Sequence, residues 1–75
     1  MTTEYRAAAE TIRDAEEVRD ALASALERAG LTLPSLRLDP NTYADADPRP
    51  LVELGRCSPS LARQLTAVIE KGIAR

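Results

Sequence analysis

Apolar residues recur at helical spacing through the first third of the chain, and no other stretch sustains such a pattern. Tyr5, Ile12, Arg19 and Leu26 fall on one seven-residue repeat, and Ala8, Ala15, Leu22 and Ala29 fall on a second, offset by three. These are the a and d positions of a helical seam. Val18 and Ala25 widen the stripe on one flank and Ala9 and Ala23 on the other, whereas Arg6, Glu10, Arg13, Glu17 and Arg28 lie opposite. No Gly or Pro interrupts the run, so propensity agrees with pattern. The spacing predicts one helix from Thr3 to about Ala29, roughly 40 Å long. Gly30 stands where a left-handed C′ residue is wanted, and Leu31 can then meet Leu26 across the stop. Thr2 or Thr3 is the expected cap at the other end, with Glu4 favourable to the helix dipole.

The pattern then changes. Leu31, Leu33, Leu36 and Leu38 are too many large apolar residues for a free linker, while Pro34 and Pro40 forbid a regular helix. Leu36-Arg37-Leu38 alternates as a short strand does, without an evident partner strand. An ordered, extended connector that lays its leucines on the long helix is expected over 31–47. Within it, Asp39-Pro40-Asn41-Thr42 has the residues of a turn that can continue into one helical turn. Asp47-Pro48 reads as a helix start, with Leu51, Val52 and Leu54 on its apolar side and Gly55 as its stop. Ser58-Pro59 repeats the start signal. Leu61, Leu65, Val68 and Ile69 then share one face, Gly72 is the expected stop, and Ile73 is placed to meet Val68. The expectation is an all-α single domain over 1–75. It comprises a long helix over 1–30, the connector over 31–47 and a helical hairpin over 48–75.

Size sharpens that expectation. A chain of 75 residues has a small core of its own and usually needs a staple or a partner. One cysteine, Cys57, excludes an internal disulfide, and the absence of histidine argues against a zinc site. The last helix, about 13 residues, spans roughly half of the long one, so uncovered apolar seam should remain. Leucine carries the core in place of aromatics, of which there are only Tyr5 and Tyr43, and arginine outnumbers lysine nine to one. No apolar run is long enough for a signal peptide or a membrane span, so a soluble cytoplasmic protein is expected.

Charge is distributed unevenly. Residues 1–30 carry four arginines against seven acids, net −3, whereas residues 48–75 carry five bases against two acids, net +3. Such asymmetry marks either a polyanion-binding end or two faces that attract each other, and the second reading is favoured for a domain this small. Arg19 is the odd member of the seam. Either its stem lies along the apolar surface with the guanidinium in solvent, or it selects a partner by pairing with an acid on another helix.

Catalytic signals are weak. Asp39, Asn41, Asp45 and Asp47 only superficially resemble a calcium loop, because Ala44 replaces its glycine and Pro50 its final glutamate. Cys57 lies beside Arg56 and before a helix start, a setting that favours a thiolate. No histidine is available as its base, and a small, partly buried residue is the plainer expectation. No general acid–base pair and no Gly-rich phosphate loop is present. Leu51 to Lys71 has the outline of a helix-turn-helix. In it Ser60, Arg63 and Gln64 would read base edges, and Arg49, Arg56 and Lys71 would contact phosphates.

Leu33-Pro34-Ser35-Leu36, Asp39-Pro40 and Leu51-Val52-Glu53-Leu54-Gly55-Arg56-Cys57 together form a pattern that resembles small uncharacterised proteins of actinobacteria. It covers about residues 31–70. The resemblance implies a bacterial cytoplasmic origin and supplies no activity or site residue.

The leading expectation is a non-enzymatic interaction or regulatory module without cofactor or metal. It would act through the seam residues Tyr5, Ile12, Arg19, Leu22 and Leu26, as a homodimer or as a subunit with another protein. The alternative is a helix-turn-helix DNA-binding regulator using the C-terminal hairpin.

Overall fold

The computed structural model describes residues 3–44 and 48–74, the side chains of residues 3–5 excepted. Its elements run α1 (Thr3–Arg28), β1 (Arg37–Leu38), α2 (Asn41–Ala44), β2 (Val52–Glu53) and α3 (Pro59–Ile73). The chain is mostly helical with one long N-terminal helix, as expected. The all-α class needs one correction, because β1 and β2 pair as a small antiparallel sheet.

α1 stops as its sequence dictates. Gly30 adopts φ 80°. Its N–H donates to the Glu27 carbonyl at 2.9 Å, and the Leu31 N–H donates to the Leu26 carbonyl at 2.8 Å. These two bonds satisfy carbonyls that the helix end leaves open and turn the chain back along α1. Leu26 and Leu31, which bracket the stop, are both buried. Of the two expected caps at the other end, Thr2 lies outside the described residues.

The connector is ordered by local bonds. At Leu33-Pro34-Ser35-Leu36 the Leu36 N–H donates to the Leu33 carbonyl at 3.3 Å, with Pro34 at the turn position its fixed φ suits. β1 then packs on α1, Leu38 buried and Arg37 outward. Asp39 starts α2: its Oδ1 accepts from the Asn41 N–H at 3.1 Å and its carbonyl from the Thr42 N–H at 2.9 Å. The Tyr43 hydroxyl donates to Glu16 Oε2 at 3.0 Å, tying α2 to α1.

The helix expected after Asp47-Pro48 is not formed. Asp47, its expected cap, lies outside the described residues. From Pro48 to Leu51 the chain is not helical, and Val52–Glu53 pairs with β1, Arg37 opposite Glu53 and Leu38 opposite Val52. Two causes act together. Arg49 precedes a proline and is biased to extended backbone. And β1 presents open backbone groups, so the Asp39 N–H donates to the Leu51 carbonyl at 2.9 Å. Across the pair the Arg37 guanidinium donates to both Glu53 oxygens, at 3.1 and 3.4 Å. Gly55, expected as a helix stop, lies two residues beyond the end of β2. Two further steps of the register place it opposite Ser35. Its φ is +81°, and a Cβ there would stand 2.4 Å from the Ser35 Cβ.

α3 starts where expected. The Ser58 hydroxyl accepts from the Leu61 N–H at 3.1 Å, and Pro59 occupies the first helical position. Its end differs from expectation. The helix runs through Gly72 to Ile73 and is capped by Ala74 in a right-handed conformation, so Gly72 is not the stop. The expected clasp of Ile73 on Val68 is replaced by exposure of both.

Among the described residues the buried hydrophobic side chains are Ala15, Leu26, Leu31 and Leu38, joined by Thr42 and Pro48. All lie on α1 or on the segment that returns over it. α3 contributes none. The connector, not the last helix, covers the α1 seam.

Candidate interaction surface

The five seam residues have different fates. Leu26 is buried, Ile12 and Leu22 are half-buried, and the Tyr5 side chain lies outside those described. Arg19 lies along the seam, its side chain 28% exposed, with Nη2 at 2.9 Å from Asp20 Oδ1 on its own helix. Arg19 and Leu26 come together with Ala23, Leu31, Leu33 and Leu36 around an open concavity of about 340 Å³. The four described seam residues are thus buried or half-buried, and connector leucines line the concavity beside Arg19 and Leu26.

The uncovered apolar surface lies elsewhere. Leu61, Leu65, Val68, Ile69 and Ile73 share one face of α3 at i, i+4, i+7, i+8 and i+12. Leu61 and Leu65 are half-buried, but Ile69 is 53% and Ile73 75% exposed. The preceding segment adds exposed Leu51 and Leu54. α3 makes no packing against another element comparable to that of β1 on α1. Near its end, Val68, Lys71, Gly72 and Ala74 face Arg28 and Ala29, at the C-terminal end of α1, across an open cleft of about 800 Å³.

Global dimensions agree. A compact chain of this length has a radius of gyration of about 11 Å, against 15.4 Å here. A folded monomer of this mass exposes about 4500 Å², against 6050 Å² here. The sequence carries the signal for the α3 face, since its apolar period is plain. The expected role of that face as cover for α1 is not met, because the connector leucines already fill much of the seam.

The helix-turn-helix outline loses its first helix, because residues 52–53 are a strand. Ser60, Arg63 and Gln64 are exposed on α3, and Arg49, Arg56 and Lys71 are exposed as well. Cys57, expected to be partly buried, is exposed. Asp39 is engaged as the start of α2, while Asp45 and Asp47 of the calcium-like stretch lie outside the described residues. Among the described residues no three His, Cys, Asp or Glu side chains gather as a metal site requires. No described helix is long and apolar enough to cross a membrane. In comparison with known proteins, no family model, no curated protein and no solved structure matches this chain.

Proposed function

We propose that the chain is a non-enzymatic protein-interaction module whose docking face is the apolar side of α3. The observation that carries this reading is that a 15-residue amphipathic helix contains no buried residue. Apolar residues at i, i+4, i+7 and i+8 are the anchors by which a helix enters a partner's groove. The seam of α1 is the weaker candidate, because the connector already occupies much of it. The test is affinity purification from the native host with wild type and with Ile69→Asp/Ile73→Asp. A protein retained by wild type and lost by the variant is expected. Identical sets of co-purifying proteins would overturn the reading.

A further inference from the structure

We propose that the occupant of this face is a second copy of the same chain, with α3 of each copy laid on the exposed flank of the other's α1. The inference rests on the docking role assigned to α3 above, and three observations support it.

The first is area. The accessible surface of 6050 Å² exceeds that of a compact monomer by about 1500 Å². A specific interface removes about 800 Å² from each partner. That is about half of the excess, so a two-fold dimer built from two α3–α1 contacts, one from each copy, lies well within it.

The second is that the chain carries both halves of a complementary pair. α1 is covered by the connector on one side only. On its other flank Val18, Ala25 and Ala29 are exposed and Leu22 is half-buried. These small residues allow a second helix to approach. The flank belongs to the segment of net charge −3, and α3 to the segment of net charge +3. In a two-fold assembly surface i of one copy meets surface j of the other and the reverse. Segments of opposite net charge within one chain suit that rule.

The third is that the two surfaces do not satisfy each other within one chain. α3 meets α1 only loosely, across the open cleft at their C-terminal ends.

The experiment uses the purified chain alone, with mass read by light scattering at concentrations up to about 100 μM. A dimer is expected, dissociated or unfolded by Ile73→Asp. Because that variant can unfold an obligate dimer, the arrangement is read independently by crosslinking. In a Cys57→Ser background, chains carrying Val18→Cys are mixed with chains carrying Ile69→Cys and oxidised. A disulfide between the two chain types is expected, and none between two copies of one type. A monomer throughout the concentration range overturns the proposal, as does crosslinking of Ile69→Cys chains to themselves alone. A monomer that still shows face-dependent capture in the host would overturn the second copy as occupant and leave the docking role of α3 standing.

Discussion

Each of the three glycines, replaced by alanine, should change stability in its own way. Gly30 and Gly55 both hold left-handed backbone, at φ +80° and +81°, but a Cβ on Gly30 meets nothing within 4 Å while one on Gly55 falls 2.4 Å from the Ser35 Cβ. The left-handed conformation costs a non-glycine residue about 1 kcal/mol, and this is the whole expected loss for Gly30→Ala. Gly55→Ala adds relief of the overlap with Ser35, for which overpacking of about 1–3 kcal/mol is typical. Its total is about 2–4 kcal/mol, against a whole-chain stability on the order of 4–11 kcal/mol. Gly72 is helical and a Cβ there meets nothing within 4 Å, so Gly72→Ala should stabilise by about 0.5 kcal/mol.

The assay is urea unfolding followed by far-UV circular dichroism at one fixed protein concentration, with unchanged slopes required before midpoints are compared. A double-mutant cycle then isolates the contact. Ser35→Gly removes the atom at 2.4 Å but leaves the Ser35 backbone carbon at 3.1 Å. It should therefore recover most of the steric part of the Gly55→Ala loss and none of the φ part. Equal losses for Gly30→Ala and Gly55→Ala, or a coupling below about 0.5 kcal/mol, would show that Gly55 does not lie against Ser35.

Single contacts give further expected outcomes. Partial burial chiefly, and the hydrogen bond to Glu16, raise the Tyr43 phenol above its ordinary 10.0. The stability it contributes is present below about pH 10 and is lost as pH rises through the folded-state value, so Tyr43→Phe should flatten the alkaline decline in urea midpoint. The Thr42 hydroxyl is buried without a hydrogen-bond partner among the described residues; Thr42→Val keeps the shape and should raise stability by about 1 kcal/mol in the same assay. The Arg37–Glu53 pair is bidentate but exposed, so an alanine double-mutant cycle should give a coupling of about 0.5 kcal/mol that disappears at about 1 M salt. Ser58→Ala removes the cap of α3 and should cost about 1 kcal/mol, seen as lost helical signal and not as a change around α1.

The sequence is most legible where one local device decides the outcome. The α1 period, the Gly30 stop and the Ser58-Pro59 start are each settled by bonds within a few residues of one another. Three dipeptides, Asp39-Pro40, Asp47-Pro48 and Ser58-Pro59, present the same start signal, but the residues beyond each of them differ. After Ser58-Pro59 comes a long run of good helix formers. After Asp39-Pro40 one turn forms, as its turn chemistry indicates. After Asp47-Pro48 a second proline arrives at Pro50, which biases Arg49 to extended backbone, and a strand partner stands ready in β1. That partner lies 16 residues away at Arg37–Glu53, so periodicity within one segment is blind to it. A matched pair of cues is nonetheless present: Leu36-Arg37-Leu38 and Val52-Glu53-Leu54 both alternate, with opposite charges at their centres. The α3 face is visible as a pattern, but its exposure depends on which of two leucine-bearing segments packs on α1.

That competition explains where the unburied surface lies. The connector enters directly from the Gly30 turn, so laying Leu31 and Leu38 on α1 closes only a short loop and costs little chain entropy. α3 is tethered through residues 31–58, and its approach to the same side of α1 must displace contacts already made. With the connector seated and fastened by the Tyr43–Glu16 bond and the β1–β2 ladder, α3 keeps Val68, Ile69 and Ile73 of its apolar face exposed. A helix of this length is marginal in water on propensity alone. The Ser58 cap and Pro59 fix where it starts, but neither supplies the tertiary contact that usually stabilises an amphipathic helix. The polarity of the chain is thus the reverse of what its longest pattern suggests. The long helix is the surface on which the connector packs, and the short one is the element that buries no residue.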